Sequence, residues 1–313
     1  MLQQRSGVMI HECGNNLFLV DLDQPREGFR RFISSWILLE KGGSVLVDTG
    51  PRSTIPVLKQ ALRELGITKI PYILLTHIHI DHAGGTGLLM NDYPEAKVIC
   101  HPKGIGHMVQ PEKLWESSRQ VLGPLAELYG EIAPIPPERI SFQDTVELES
   151  GPVRVLQTPG HAPHHLSFLA GDCLFAGEVA GVTCPLEGGF YLRPATPPVF
   201  DLETQMRSIE RVASLDISTV CLGHYGIRHD PQSLFSHAGA QIPRWLGIIE
   251  THLRRKSEPF EEFVFNDILA QDPCMDGYTL LPEDIRTRER EFISNSIRGM
   301  KGYLMKKSPS KET

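Results

Sequence analysis

The sequence predicts a mixed α/β protein that ends in an all-helical appendage, and three observations support this. Short apolar runs typical of strands occur in two separate segments of the chain. Residues with helical amphipathic spacing lie beside these segments. After about residue 230 the strand-like runs stop and only helical patterns remain. The chain is therefore expected to divide into an α/β part at 1–230, an appendage at 231–305 and a disordered charged tail at 306–313.

The first strand-rich segment lies near the start of the chain. Leu17 to Leu22, Trp36 to Leu39 and Ser44 to Val47 are apolar runs of strand length. From about Ile55 to Leu65 the apolar residues recur at helical spacing, which predicts an amphipathic helix. The run from Ile73 to Leu75 predicts a further strand after it.

The second strand-rich segment follows a predicted helical insert from about Glu112 to Tyr129 and a proline-rich turn at 134–137. Strands resume at Thr145 to Leu148. Asp201 has the residue type and position of a helix N-cap. The helix that it would cap carries an apolar stripe formed by Met206, Ile209, Val212 and Leu215.

The appendage is predicted to contain three helices, at Ser233 to Arg255, Phe260 to Gln271 and Pro282 to Leu304. Its middle helix carries four apolar residues that need a surface to pack against, Phe263, Phe265, Ile268 and Leu269. The sequence leaves four uses of the appendage open. It can cover an active site, select a substrate, form a homodimer or simply pack within the chain.

Composition narrows the class of protein. A chain of 313 residues with 41% hydrophobic content can bury one large core. A formal net charge of -7 argues against an extended nucleic-acid surface, which needs clustered positive charge. No apolar run reaches the roughly 20 residues that a membrane span requires. The six cysteines show no Cys-x-x-Cys spacing and no signal-peptide pattern opens the chain, so a cytoplasmic protein without nucleic-acid or membrane partners is expected.

The densest functional signal follows the predicted strand at 73–75, where four metal-ligand residues fall within six positions. His77 and His79 alternate along an extended segment, so both imidazoles can project from one side, and Asp81 and His82 follow where the chain turns. Buried nitrogen and oxygen donors each need a partner, and a cation supplies all of them at once. Imidazoles and a carboxylate suit zinc, iron or manganese, and two adjacent metal sites can share this loop.

Three later segments repeat one pattern, in which an apolar strand is followed by a glycine and then by a ligand-type residue. The three ligand-type residues are His161, Glu178 and His224. Asp172 is another carboxylate in this region, but its setting is typical of a turn between two strands. Because only Glu178 follows an apolar strand and a glycine, it is the preferred candidate.

The ordered series of motifs resembles the metallo-β-lactamase fold superfamily of metal-dependent hydrolases. The series contains His-x-His-x-Asp-His at 77–82, then Gly-His, Gly-Glu and Gly-His ending at 161, 178 and 224. The family also carries a Val-Asp-Thr-Gly turn before the first motif, and 47–50 match it. The resemblance spans roughly residues 15 to 230 and implies a four-layer αβ/βα sandwich for that part of the chain.

The resemblance also implies how the ligands divide between two divalent ions, with zinc preferred and iron or manganese as alternatives. The two sets are His77, His79 and His161 for one ion, and Asp81, His82 and His224 for the other. Glu178 would bridge the two ions. The family usually has aspartate at this position, and glutamate is longer by one carbon–carbon bond, about 1.5 Å.

The implied reaction is hydrolysis of an ester, thioester or lactone of a small molecule by a metal-bound hydroxide. Asp81 would bind a metal and also take up or return a proton as the leaving group departs. Tyr225 can donate a hydrogen bond to the developing oxyanion, or it can simply pack. His164 and His165 can donate to groups around the metals, contact the substrate or belong to a polar loop.

Two other functions stay open. Phosphodiester hydrolysis is one, because two-metal sites serve that chemistry as well. A binding or signalling protein with low turnover is the other, and the glutamate at position 178 is its main support. Glyoxalase II has a similar layout with a helical C-terminal region, but it has a third histidine in the first motif where Ile78 stands.

Overall fold

The computed structural model describes residues 2–5, 8–184, 186, 188 and 190–307, with the backbone alone for residues 2–5. These residues form the strands β1 (Leu2–Arg5), β2 (Val8–Glu12), β3 (Leu17–Asp21), β4 (Ser34–Leu38), β5 (Val45–Val47), β6 (Tyr72–Leu74), β7 (Lys97–Ile99), β8 (Ile140–Ser141), β9 (Thr145–Val146), β10 (Val153–Gln157), β11 (Leu166–Ala170), β12 (Cys173–Gly177), β13 (Val182–Thr183), β14 (Leu192–Arg193), β15 (Thr219–Leu222) and β16 (Ile227–Arg228). They also form the helices α1 (Ile55–Glu64), α2 (Ile80–Ala83), α3 (Thr86–Leu89), α4 (Pro102–Val109), α5 (Glu112–Leu122), α6 (Pro124–Tyr129), α7 (Leu202–Ala213), α8 (Pro231–Arg255), α9 (Phe260–Gln271) and α10 (Glu283–Lys307).

Two large sheets contain most of the strands. The first sheet holds β1 to β8 in sequence order, antiparallel from β1 to β5 and parallel from β5 to β8. The second sheet has the order β16-β15-β12-β11-β10-β9, with β12 and β15 parallel. The short strands β13 and β14 form a separate antiparallel pair.

The sheets pack face to face, and helices cover their outer faces. Trp36 and Leu74 of the first sheet share one buried cluster with Phe168 and Phe175 of the second. The outer face of the first sheet packs against helices that include α1, α4 and α6. The outer face of the second sheet packs against α7 and the C-terminal helices. The layers therefore run helix, sheet, sheet, helix, which confirms the predicted αβ/βα sandwich.

Most predicted elements are present, with two differences near the candidate site. The insert that was predicted as one helix divides into α5 and α6, because Gly123 adopts a positive φ of 54° and Pro124 follows it. The turn that contains Asp81 and His82 is the one-turn helix α2. Asp201 caps α7 as predicted, since its carboxylate accepts a hydrogen bond from the Thr204 backbone N–H at 2.7 Å.

The appendage helices α8, α9 and α10 pack on the rest of the chain. Phe265 and Ile268 are buried among residues of the second sheet and its helices, whereas Phe263 is 47% exposed. The tail was predicted to be disordered from residue 306, but Lys306 and Lys307 continue α10. Residues 308–313 lie outside the described part of the chain. None of the described helices has the length and apolar character to cross a bilayer.

Candidate metal centre

The seven predicted ligands come together at one edge of the two sheets. His77 and His79 follow β6, His161 follows β10, and Asp81 and His82 lie on α2. The two remaining ligands follow strands of the second sheet, Glu178 after β12 and His224 after β15. The strand ends therefore place ligand residues from both sheets around a common point, as the repeated sequence pattern predicted.

The first group of ligands contains His77, His79, His161 and Glu178, whose ligand atoms all lie within 4.8 Å of one another. The Glu178 Oε2 atom lies 2.8 Å from His161 Nε2 and 3.2 Å from His77 Nε2. The His79 Nδ1 atom lies 3.0 Å from His161 Nε2. This arrangement offers three imidazole nitrogens and a carboxylate oxygen to one cation.

The second group contains Asp81, His82 and His224. The His224 Nε2 atom lies 3.1 Å from His82 Nε2 and 3.3 Å from Asp81 Oδ2. Glu178 reaches this group too, with Oε2 at 3.6 Å from His82 Nε2 and Oε1 at 3.7 Å from His224 Nε2. The longer glutamate side chain therefore lies between both groups.

Hydrogen bonds outside the centre fix which nitrogen of three imidazoles faces inward. The His161 Nδ1 atom contacts the Ala195 carbonyl at 3.0 Å, and His224 Nδ1 contacts the Phe32 carbonyl at 2.9 Å. Because a carbonyl only accepts, Nδ1 carries the proton in both rings and donates it. His82 is oriented in the same way by a contact of 3.0 Å between its Nδ1 and the carboxylate of Asp48. The Nε2 atoms of these rings point into the centre.

His77 completes this pattern. The Thr76 hydroxyl donates to Asp48 Oδ2 at 2.7 Å, so its oxygen accepts from His77 Nδ1 at 3.0 Å. The His77 Nε2 atom is then left as a buried lone pair without a hydrogen-bond partner among the described residues. A lone pair that faces the Glu178 carboxylate is repelled unless a positive charge lies between them. The donor set therefore fits a divalent cation.

The charges of the centre point to the same conclusion. Burial alone would raise the pKa of Glu178, but His161 and His224 hold it well below the usual range. Burial also opposes ionisation of Asp81, yet His82 and His224 hold its pKa well below the usual range. Although burial lowers the pKa of His82, the carboxylates of Asp81 and Asp48 raise it to about 9. The buried carboxylate of Glu178 and the partly buried carboxylate of Asp81 attract a cation to this point.

The glycine before the ligand in the sequence pattern has a steric reason at all three positions, and at two of them the crowding neighbour is a histidine ring. Gly177 has a φ of +56°, and a Cβ atom there would lie 2.5 Å from His165 Nε2. A Cβ atom on Gly223 would lie 2.9 Å from Cε1 of His82. The chain thus passes so close to a histidine ring that a side chain does not fit.

Three other predicted residues lie around or away from the groups. His165 is buried and its Nε2 accepts the backbone N–H of Glu178 at 3.0 Å, so it holds the backbone of Glu178 in place. The ring of His164 lies 5.8 Å from that of His79, and burial lowers its pKa to about 3. Asp172 is exposed at the turn after β11, where it accepts from the Ser218 hydroxyl.

Tyr225 does not face the ligand groups. Its hydroxyl donates to Asp21 on β3, and the atom also lies 3.2 Å from His11 Nε2. The ring is 5% exposed and belongs to the cluster between the sheets. The structure therefore gives Tyr225 a packing and anchoring position. The adjacent His224 contacts the ligand groups, whereas the Tyr225 hydroxyl contacts Asp21, so the predicted oxyanion contact has no support in this arrangement.

Sequence reasoning did not identify the residues that orient the ligands. Asp48 was noted only as part of a turn motif, although it holds both His82 and Thr76. Phe32 and Ala195 act through backbone carbonyls, which no residue type signals. Of these three residues, only Asp48 carries a signal in the sequence, because it is an acidic residue directly after a buried strand.

The centre coincides with a match to a family model. The model described as the metallo-beta-lactamase superfamily matches residues 28–224, which is more than half of the chain and includes all seven ligand positions. The metallo-beta-lactamase fold-containing protein ST1585 from Sulfurisphaera tokodaii is 30% identical over 210 residues, which cover 64% of this chain and 75% of that protein. A hydroxyacylglutathione hydrolase from Xanthomonas campestris is 30% identical over 60% of this chain, and the match spans 59% of the hydrolase.

Solved structures show the same fold. The crystal structure of ST1585 superposes with a TM-score of 0.61 at 28% identity and covers 73% of this chain and 86% of that one. The TTHA1429 protein from Thermus thermophilus superposes with a TM-score of 0.66 at 22% identity over 95% of both chains, so the similarity of fold extends into the helical appendage. With the family model, the relatives and the ligand geometry in agreement, this chain belongs to the metallo-beta-lactamase superfamily.

Proposed function

We propose that this protein is a dinuclear metal-dependent hydrolase that cleaves an ester, thioester or lactone of a small molecule. The observation that carries the proposal is the position of Glu178, whose two oxygens lie near imidazoles of both ligand groups. A shared carboxylate between two groups of donors is the arrangement that holds two ions side by side. Zinc is the first choice of ion, because histidine nitrogens and carboxylate oxygens suit it well.

Bound divalent ions at such a centre supply Lewis-acid polarisation of a substrate oxygen and activation of water at neutral pH. The chain itself supplies orientation and proton transfer. Asp81 is ionised at neutral pH and its side chain is 18% exposed, whereas that of Glu178 is 6% exposed. Asp81 is therefore the carboxylate that a leaving group can reach. We assign it the proton transfer, in which the carboxylate takes a proton from the attacking water and returns it to the leaving group.

Acyl chemistry is preferred over phosphodiester hydrolysis because of one relative. The hydroxyacylglutathione hydrolase named above shares 30% identity with this chain over the part that matches. Its name describes hydrolysis of an acyl compound. The isoleucine at position 78 departs from the three-histidine motif of glyoxalase II, so the proposal names the acyl class and no particular thioester.

One cavity has the size of a small-molecule site, and none of the seven ligand residues lines it. Its wall residue Phe292 packs on Phe32 with ring centroids 5.3 Å apart, and the Phe32 ring stacks on His224. The cavity measures about 700 Å³ and lies between α5, α6 and α10, with Leu125, Leu128, Phe292 and Arg290 in its wall. Ligand sites in proteins have volumes of roughly 300–1,000 Å³ and mainly apolar walls. A small-molecule substrate is the proposed partner; a homodimer through the C-terminal helices and a cytoplasmic location stay predictions.

The test is a substrate screen of the zinc-loaded protein with activated esters, thioesters, lactones and phosphodiesters. We expect hydrolysis of at least one acyl substrate, and we expect His77→Ala to abolish it. His229→Ala is the matched control, because His229 is exposed and belongs to neither ligand group. Activity that survives His77→Ala would contradict the mechanism. Turnover of phosphodiesters alone would change the substrate class, and no turnover with two bound ions would favour a binding or signalling role.

A further inference from the structure

The C-terminal helix α10 holds the loop between β3 and β4, which faces the second ligand group. Arg288 donates from Nη1 to the Gly28 carbonyl at 2.6 Å. Asp284 accepts the Gly28 backbone N–H at 3.1 Å and forms an ion pair with Arg30. The approach is so close that a Cβ atom on Gly28 would lie 2.4 Å from the Asp284 carbonyl oxygen. The loop therefore has little freedom to move away from the helix.

The same loop orients His224. The Phe32 carbonyl accepts the His224 Nδ1 proton at 2.9 Å, and the Phe32 ring stacks on the imidazole with centroids 4.2 Å apart. The Arg288 guanidinium lies over the same ring at 4.0 Å from its centroid. The Phe32 ring therefore contacts both groups at once. Arg288, Phe32 and His224 form a continuous series of contacts that leads from the appendage to a ligand.

Arg288 is itself rigidly held. It is 2% exposed and pairs with the adjacent Glu289 at 2.9 Å, and Glu289 is fully buried. Glu289 also accepts from Arg193 and from the Tyr191 hydroxyl. The hydrogen bonds of this buried network keep the Arg288 guanidinium in one position. The guanidinium can therefore define the position of the Phe32 ring that it contacts.

The helix also holds the carbonyl that orients a ligand of the first group. The Ser296 hydroxyl donates to the Pro194 carbonyl at 2.9 Å. The next carbonyl in the chain, that of Ala195, accepts the His161 Nδ1 proton at 3.0 Å. Gly299 lies against the same segment, since a Cβ atom there would be 2.1 Å from the Thr196 carbonyl oxygen. One helix thus supports one histidine in each ligand group, through two different residues.

We propose that α10 is a working part of the metal centre, in which Arg288 and Ser296 are positioning residues. Arg288 acts through Phe32 on His224 and sets the affinity of the group formed by Asp81, His82 and His224. Ser296 acts through Pro194 and Ala195 on His161 and sets the affinity of the other group. The proposal rests on the two-ion centre described above, and it gives the appendage a role that is neither a lid nor a dimer interface.

The test is a zinc titration of the metal-depleted full-length protein against a chromogenic chelator, which yields a dissociation constant for each group. His79→Ala and Asp81→Ala assign the two constants. We expect Arg288→Met to raise the constant of the group with His224 about tenfold and to leave the other within twofold, since partners outside the ligands are typically worth 10- to 100-fold in affinity. We expect Ser296→Ala to raise the other constant by a few-fold only.

Two controls separate positioning from general stability. Arg298→Met changes an exposed arginine of the same helix that pairs with Glu261, and both constants should stay at the wild-type values. Arg288→Lys keeps the charge but not the planar group that stacks on Phe32, so it should restore the affinity only in part. If Arg288→Met and Ser296→Ala lower both affinities equally, or lower only the melting temperature, the proposal is wrong.

A second measurement does not depend on metal. The Nδ1–H protons of His161 and His224 are held by carbonyls, so each should give a slowly exchanging low-field proton resonance in the metal-free protein. Arg288→Met should broaden the His224 resonance alone, and Ser296→Ala the His161 resonance alone. If the wild type binds fewer than two ions, the dinuclear proposal fails, and these resonances still decide the positioning roles. Unchanged resonances in both variants would overturn them.

Discussion

Glu178 shows how a single residue was predictable in identity but not in geometry. Its place after an apolar strand and a glycine identified it from the sequence, and the same local pattern identified His161 and His224. Whether its longer side chain still reaches both groups depends on the distance between two sheets, which no local pattern contains. In the structure it reaches both groups across the sheets, at 3.2 Å from His77 Nε2 and 3.6 Å from His82 Nε2.

The Tyr225→Phe variant tests whether the Tyr225 hydroxyl anchors the fold. Because the hydroxyl donates to the carboxylate of Asp21, its removal should lower the free energy of unfolding by roughly 1.5–3 kcal/mol. Hydrolysis should stay within about twofold of the wild type once a substrate is known. Urea denaturation and steady-state kinetics measure the two effects.

The oxyanion role predicts a different result for the same variant. Loss of a hydrogen-bond donor to an oxyanion typically costs about 10²- to 10³-fold in kcat. A loss of that size with unchanged stability would show that the phenol turns toward the substrate during turnover, against the arrangement seen here.

At the scale of the element, the ligands were predictable because they lie shortly after strands, four of them after β6 and one each after β10, β12 and β15. The residues that orient the ligands were not, because they belong to other elements. The Phe32 carbonyl lies in the loop before β4, and the Ala195 carbonyl follows β14. Their approach depends on how α10 packs on these two loops, and α10 begins more than 80 residues after the Ala195 carbonyl. Sequence periodicity predicted the helix α10 but not its contacts.

The contact between α10 and the strand β14 should weaken in acid. Burial opposes ionisation of Glu289, but Arg193 and Arg288 lower its pKa from 4.5 to about 2. A carboxyl with a lowered folded-state pKa stabilises the fold above its unfolded pKa, and the stabilisation is lost as the pH falls through the folded pKa. We therefore expect roughly 3 kcal/mol of stability to disappear between pH 4.5 and pH 2.

The Glu289→Gln variant makes this loss of stability in acid measurable. The difference in unfolding free energy between wild type and variant should be largest at pH 6 and should shrink below pH 4.5, as followed by urea denaturation in the presence of a chelator. Glu203→Gln is the matched control: its pKa is also lowered to about 2, by Lys307 and Tyr303, but it is exposed and screened by solvent. A difference for Glu289→Gln that does not change with pH would contradict the assignment.

At the scale of the whole molecule, the appendage and the α/β part share one core. Trp245 of α8 and Ile297 of α10 are fully buried in the cluster that also contains Leu174 and Val220 of the second sheet. The sequence pattern changes near residue 230, where α8 begins at Pro231, and the domain boundary at that point stays a prediction. It did not show that the helices cover the outer face of the second sheet, since packing partners are not encoded locally.

A fragment of residues 1–230 should therefore fail to fold cooperatively. Each large apolar side chain that loses its burial costs about 1.5–3 kcal/mol, and several lose it when the three helices are removed. Thermal unfolding followed by circular dichroism, together with light scattering, would show a broad transition and aggregation. A fragment with a sharp transition that binds two zinc ions would show that the predicted boundary separates independent units.

The central claim is a two-ion centre bridged by Glu178, and metal content per chain tests it most directly. Elemental analysis of the purified, zinc-loaded protein should give two equivalents for the wild type. Glu178→Ala should give about one or fewer, because the carboxylate between the groups is gone. Glu178→Asp separates reach from charge, since it keeps the charge and shortens the side chain. Two equivalents that persist in Glu178→Ala, or no more than one in the wild type, would contradict the claim.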